Sequence, residues 1–395
     1  MTAAAQLAVS RHPAVAEAIG RVRQQDQMIA EARSGYLPRV SGGPRAGFDN
    51  RLEGQWRPVF NLSASQMVYD FGAVASRIDA ETAERTARHA QMIGTLDDLV
   101  RKTADAVIEV DRYNRLAAVS REHIQDNQRI LKLVTSRADR GASTKSDRLQ
   151  AEARVQEAQS TLLEVQSQAG RWQATLAALT GMAAPIVVDA SVPAPLQDAC
   201  SRGPPDWSKV SSVMKAEADI RSANARLRLS RAEMFPTLSL AGGVDVDIRN
   251  PTRESDYSIG LQASASLYDG GSLSARRNAA SLAAATAQAA KANAMLESSR
   301  SLAEAANQLA GLEQQLKLLG GREQTMKATR DLYEVQYRDL GTRTLLDLLD
   351  AADEFHGARF QNVNVEHDIA DLKVECTFFS GNQRQAFAIG EPDFR

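Results

Sequence analysis

The sequence predicts a mainly α-helical chain with membrane-type β-structure, made of two copies of one helix–strand–strand–helix–helix unit. Three observations predict it: an internal repeat, heptad stripes along very long helices, and four strictly alternating strand segments too few to close a barrel. Composition agrees. The 395 residues are 43% hydrophobic but only 5% aromatic, a balance that favours long helices over a thick aromatic core. With 47 basic and 49 acidic side chains the net charge is −2, which excludes a nucleic-acid binder acting through bulk positive charge.

The repeat comes first, because it sets every later boundary. Tyr36-Leu37-Pro38 recurs as Met234-Phe235-Pro236, and Tyr69-Asp70-Phe71-Gly72 recurs as Tyr268-Asp269-Gly270-Gly271. Gly141, Asp147 and Ala151 recur as Gly341, Asp347 and Ala351, and Leu179-Thr180-Gly181 recurs as Phe379-Ser380-Gly381. These landmarks give a first repeat over 1–181, a Pro-rich linker over 182–206, a second repeat over 207–381 and a tail over 382–395. Pro185, Pro193, Pro195, Pro204 and Pro205 mark the linker.

Each repeat opens with a helix of about 20 residues (13–35 and 207–233). Pro38 or Pro236 ends it, since proline drives the preceding residue out of the helical region. Two strands follow (38–49 and 58–69; 237–249 and 257–268). A helical hairpin completes the repeat (72–181 and 271–381), with a break at Gly141 or Gly341 between its two long helices. Heptads run along these helices. Met295, Leu302, Leu309 and Leu316 interleave with Ala305, Leu312, Leu319, Met326 and Tyr333, and Ile93, Val100 and Val107 interleave with Leu96, Thr103 and Val110. Such stripes make a seam for a partner helix. A helix of some 66 residues spans about 100 Å, too long for a globular core.

The strands alternate cleanly. Tyr257, Ile259, Leu261 and Ala263 oppose Ser258, Gly260, Gln262 and Ser264; Leu238, Leu240, Val244 and Val246 oppose Thr237, Ser239, Asp245 and Asp247. Phe60, Leu62 and Ala64 oppose Asn61, Ser63 and Ser65, and Val40, Ala46 and Phe48 oppose Arg39, Ser41, Arg45 and Asp49. Each run has the length that a tilted strand needs to cross a bilayer, with the apolar-out, polar-in dyad of a barrel. About eight strands is the smallest closed barrel, and an open edge in lipid leaves backbone groups unpaired. Membrane insertion therefore requires several chains, and three copies supply twelve strands. Both hairpins return to helices, which places the helices on one side of the membrane and loops 50–57 and 250–256 on the other.

No run of 18 apolar residues is present, so no transmembrane helix is expected. The first ten residues lack the basic and apolar regions of a secretory signal. Cys200 and Cys376 cannot form a disulfide framework and do not fix the redox compartment.

At this point the sequence resembles the outer-membrane factors of the TolC family, the trimeric exit ducts of Gram-negative bacteria. The resemblance covers essentially the whole chain. It rests on the His12-Pro13 helix start, the Pro38 and Pro236 strand entries, the Tyr-Asp-x-Gly strand exits, the duplication and, most specifically, Gly341-Thr342-Arg343-Thr344-Leu345-Leu346-Asp347-Leu348-Leu349-Asp350-Ala351. It implies a homotrimer with a twelve-stranded outer-membrane β-barrel continuing into a twelve-helix periplasmic α-barrel. It implies partners too: a periplasmic adaptor, an inner-membrane ABC or proton-driven pump, and outer-membrane lipid. The implied function is passive export, with type I protein secretion favoured by the Gly-Thr-Arg-Thr form and multidrug efflux as the alternative. Because the family is exported, the chain is expected to start in a mature or truncated form.

Site residues follow from the same resemblance. Gly141 and Gly341 would lie at the periplasmic tips where the adaptor docks. Arg343 would reach Asp147 and Ser146 of the neighbouring hairpin as a gate latch. Where the family often has Tyr three residues before the second Gly, this chain has Arg338, implying an Arg338–Asp147 ion pair. Asp347 and Asp350, three apart on one helix face, would form a carboxylate ring that selects cations, with apparent pKa values raised as a coupled set. Tyr257 and Trp56 fit an interfacial aromatic belt. No catalytic motif is present, and the five histidines have no ligand spacing, so no cofactor or metal is expected. A soluble coiled-coil scaffold is the alternative of another class, but it has no need for four bilayer-length strands. A periplasmic adaptor would carry one hairpin and lipoyl-like domains, not two hairpins.

Overall fold

The computed structural model describes residues 1–48, 56–201, 203, 205–249 and 255–390. The expected outer loops, Asp49 and the side chain of Trp56 lie largely or wholly outside the described residues. In chain order the elements are α1 (Thr2–Arg11), α2 (Pro13–Ser34), β1 (Arg39–Phe48), β2 (Trp56–Tyr69), α3 (Ala73–Ala138), α4 (Lys145–Thr180), α5 (Ala194–Gln197), α6 (Ser211–Ala232), β3 (Thr237–Asp247), β4 (Asp256–Ser264), α7 (Ser272–Val335), a π-helical turn (Gln336–Leu340), α8 (Leu345–Phe379) and α9 (Gln383–Ala386). Among the described residues no helix is long and apolar enough to cross a membrane. The chain divides into two compact units, and α3 and α7 contribute residues to both.

One unit comprises 17–93 and 211–295. Its sheet is antiparallel throughout, in the order β1-β2-β3-β4, so the strands of the two repeats join at β2–β3. The register sets the polar residues of successive strands side by side. The Ser41 and Ser63 hydroxyls lie 2.9 Å apart, and Asn61 Nδ2 donates to Asp245 Oδ1 at 2.8 Å. The opposite face is apolar and nothing among the described residues covers it: Val40 is 66% exposed, Ile259 77% and Leu261 69%. β4 stops at Ser264, short of the expected 268. Ser264 pairs with Thr237, the first residue of β3, so beyond it the chain offers no ladder partner. The strand exits recur as helix caps. Asp70 accepts from the Gly72 and Val74 amides at 2.9 and 2.6 Å, and Asp269 accepts from the Gly271 and Leu273 amides at 3.0 and 2.6 Å. Each carboxylate satisfies amides that a helix start leaves without partners.

The other unit comprises 1–16, 94–210 and 296–395. Its core lies along α3 and α8. Val100, Ala104 and Ile108 of α3 meet Ala370 and Val374 of α8, with Ala5 of α1, Leu196 of α5 and Phe387 closing the cluster. α1 was not expected; its ten residues carry little periodicity of their own, and Ala5 is buried within this cluster. Further along, His123 and His356 stack with ring centroids 4.5 Å apart. Each reaches a carboxylate of the opposite helix, His123 to Asp353 and His356 to Asp126, both at 2.9 Å. Cys200 and Cys376 are joined by a disulfide across a sequence separation of 176.

Candidate functional site

The residues singled out from sequence gather at the ends of the two helical hairpins, within one unit. At the first end α3 closes on Gly141, whose φ of +74° is left-handed, and the Ala142 amide bonds back to Arg137 O at 2.8 Å. At the second end Gly341 has φ +64° and its amide reaches back to Gln336 O. Nothing lies within 4 Å of a Cβ at either glycine. Backbone conformation, not space, therefore requires them, since a side chain there costs about 1–2 kcal/mol. The following helices start alike. Thr144 and Asp147 form a capping box on α4, and Thr344 and Asp347 form the same box on α8. The reciprocal bonds are 3.1 and 2.9 Å in the first, 3.2 and 3.0 Å in the second. Each box satisfies two amides at the helix start.

These caps reassign several of the expected residues within the chain. Asp147 is turned back onto the Thr144 amide, and the Ser146 hydroxyl lies 2.8 Å from that of Thr144. Arg343 stacks on the Tyr333 ring, 4.3 Å from its centroid, and donates to Gln336 Oε1 at 3.2 Å. Arg338 pairs with Asp339 at 2.9 Å and with Glu334 at 3.9 Å. Inside one chain, then, neither arginine pairs with Asp147, because nearer groups on its own helix end satisfy each of them. Asp347 serves the α8 cap, and hydrogen bonds from the Thr344 amide and hydroxyl hold its carboxyl below the usual range. This effect is opposite in sign to the one a carboxylate ring would add. Asp350 lies 3.2 Å from Arg154 of α4, which also holds Asp353 and Glu157. Of the pair expected to project together, one faces the cap and the other a guanidinium.

Besides Arg154, residues that join the two hairpin ends are Arg137, Ser143 and Tyr337. Tyr337 sits in the π-helical turn, buried among Ile130, Val134, Leu345 and Leu349. Its hydroxyl lies 3.1 Å from Ser143 Oγ. Arg137 covers its ring at 4.7 Å and donates to Tyr337 O at 2.6 Å. One guanidinium thus caps the carbonyls of the opposite helix end and makes a cation–π contact. Positions 137 and 337 are equivalent in the repeat, at the same offset of 200 that relates Gly141 to Gly341. That equivalence was the only sequence signal pointing to this contact. Beside the first end a groove of about 540 Å3 runs between α3 and α4, lined by Leu131, Thr135, Arg140, Arg148 and Glu152. Among the described residues no set of three or more His, Cys, Asp or Glu could hold a metal ion.

The chain is 22% identical over 366 residues to the outer membrane efflux protein BepC of Brucella suis, covering 88% of this chain and 78% of that protein. It is 24% identical over 385 residues to the pyoverdine export outer membrane protein OpmQ of Pseudomonas putida, covering 89% and 79%. Its fold matches the outer membrane protein VceC of Vibrio cholerae with a TM-score of 0.82 at 17% identity, covering 96% of this chain and 95% of that one. The model of the outer membrane efflux protein family matches residues 4–182 and 210–376. One matched segment lies in each half of the sequence, and the chain belongs to the outer membrane efflux protein family, a family of channels and not of enzymes.

Proposed function

We propose that three copies of this chain form an outer-membrane exit duct that conducts cargo passively, with a periplasmic extension that meets an adaptor and an energised inner-membrane pump. The observation that carries this reading is the four-stranded sheet. Its apolar face is uncovered, its polar residues share the other face, and strands β1 and β4 each keep one unpaired edge. Burying that face in lipid and closing those edges against further copies answers both costs at once. Three chains supply the twelve strands of a closed ring. The repeats over 1–181 and 207–381, the linker over 182–206 and the tail over 382–395 are the natural divisions of such a subunit.

In this assembly the hairpin ends near Gly141 and Gly341, with the groove beside the first, are the surface for the adaptor. Arg343 and Arg338 of one chain act as a latch toward Asp147 and Ser146 of the next, in competition with the contacts each makes in its own chain. Asp347 and Asp350 line the constriction, with Arg154 offsetting part of their charge. For cargo, the Gly341-Thr342-Arg343-Thr344 segment supports type I protein secretion. The relative named for pyoverdine export favours small-molecule efflux as a second reading.

Single-channel recording of the refolded protein in a planar bilayer tests the duct. A stable cation-selective pore is expected, with selectivity reduced by Asp347→Ala/Asp350→Ala. Failure of a verified folded sample to insert would overturn the reading. Complementation of cells lacking their own duct, scored for a secreted protein and for a siderophore, separates the two cargo readings.

A further inference from the structure

The linker is a strap that touches all four long helices of its unit. Near its start Ile186 exchanges two hydrogen bonds with Gln173 of α4: Gln173 Nε2 donates to Ile186 O at 3.0 Å and the Ile186 amide donates to Gln173 Oε1 at 2.8 Å. Ile186 also packs on Val107 and Val110 of α3. Ten residues on, Leu196 is fully buried between α3 and α8. Ala199 and Cys200 then join Leu309 of α7 and Ile369 and Leu372 of α8. Here the strap is bonded to the last turn of α8 through Cys376, which is fully buried, whereas Cys200 is only partly covered. Beyond Cys200 the described residues are exposed or half-exposed until Lys209 and Val210, which lie against Gly381.

We propose that the Cys200–Cys376 bond is a redox-operated buckle. Closed, it ties the second hairpin (α7–α8) to the first (α3–α4) through the strap, a covalent path that otherwise runs through 176 residues of chain. Opened, it frees residues 197–201 of the strap while the helices stay folded. The packing supports a local release. Leu196 and Ile186 hold the first half of the strap without the bond, and α8 keeps Val374 and Thr377 buried beside Cys376. Among the described residues of 197–208 only Ala199 is buried.

The chemistry is thiol–disulfide exchange with a dithiol donor. A donor thiolate attacks the more accessible Cys200 sulfur, the Cys200–Cys376 bond breaks, and Cys376 leaves as a thiolate that takes a proton. The donor's second thiol then resolves the mixed disulfide, so the protein gains two electrons and two protons and the donor becomes a disulfide. Closing is the reverse, with a protein disulfide as oxidant, and requires a compartment that is not thiol-reducing.

Hydrogen exchange read by mass spectrometry on the full chain in detergent tests this. Peptides covering 197–208 should exchange about tenfold faster or more after reduction with a dithiol and in Cys200→Ser and Cys376→Ser. Peptides from α3, α4 and α8, and the far-UV circular dichroism, should not change. Unchanged protection of 197–208 in the reduced wild type would overturn the proposal, because packing alone would then hold the strap. Loss of protection throughout the unit would overturn it as well, since the bond would then act on the whole fold. So would two free thiols in the protein isolated from cell envelopes under alkylation that a protein-disulfide oxidant fails to close, since the bond would then never form.

Discussion

The first helix of one hairpin and the first helix of the other occupy opposite environments. α3 buries Val100, Ala104, Ile108 and Val134, whereas its equivalent α7 leaves Leu296, Leu318 and Leu332 exposed, Leu318 by 77%. The second helices reverse the order: α8 buries Leu348, Leu349, Ala352, Phe355 and Val374, whereas α4 leaves Leu149 and Leu163 exposed, Leu163 by 67%. α3 and α8 therefore form an inner pair, and α4 and α7 each show a second apolar stripe. The difference teaches that duplication of sequence does not duplicate burial. Each hairpin puts one helix in its own chain's core and leaves leucines of the other helix exposed.

The largest expected effect is a test of that contrast. Leu348→Ala in the inner pair should cost about 2–5 kcal/mol, read as a lowered thermal midpoint, because a closely packed core cannot fully collapse onto the cavity. Leu163→Asp with Leu318→Asp on the outer helices should leave helical content intact and abolish the trimer in cross-linking. If both variants lower the midpoint alike, the distinction between inner and outer helices fails.

The inner pair also carries the groups whose protonation depends on burial. Burial, reinforced by the charge of Asp105, pushes Asp371 up to about 8, and burial, opposed by Arg101 but reinforced by Glu375 and Glu109, pushes Asp105 up to about 7, from ordinary values near 3.8. Between about pH 4 and 8 the folded state then binds more protons than the unfolded chain, so these groups make stability fall as pH rises. Asp371→Asn should raise the thermal midpoint at pH 8 and have no such effect below pH 4, where both states are protonated. Burial lowers His356 below its ordinary 6.5. The unfolded chain then binds the extra proton first, and this group makes stability fall as pH drops below 6.5. His356→Gln should flatten that acid limb in a series of midpoints against pH.

The two capping boxes offer a closer comparison of the repeats. Thr144→Ala and Thr344→Ala should each cost about 1 kcal/mol by chemical denaturation, and unequal values would show that the π-helical turn loads the second end differently. The smallest effect belongs to the outer surface. Among the described residues Arg300 of α7 pairs only with Glu297 and Glu304 of its own helix, and Arg300→Ala should leave the midpoint unchanged within error. Arg330, held by Asp126 beside His356 and stacked on Phe355, should not tolerate the same change.

Several features were legible because they depend on neighbours in sequence. Pro38 and Pro236 mark the chain's exit from α2 and α6, and the Tyr-Asp-x-Gly motif encodes the caps of α3 and α7. Strict alternation sets Asn61 and Asp245 on one face with no knowledge of their partner strand. Local stereochemistry fixes each of these within a few residues, and the repeat displays them twice. Contacts between distant segments were not legible. Nothing near Cys200 points to Cys376, nothing near Arg137 but the repeat points to Tyr337, and the faintly periodic α1 is recognisable only under Leu196 and Phe387. The roles of Asp347 and Asp350 diverged for the same reason. Their spacing places them on one helix face, but a cap three residues back claims the first and an arginine from α4 claims the second. The sequence by itself determined the repeat, the helix ends and the two faces of each strand, because hydrogen bonding and side-chain period act over short range. Only the tertiary structure decided which helices are buried, which cysteines meet and which charges are satisfied, because those follow from the arrangement of whole helices in space.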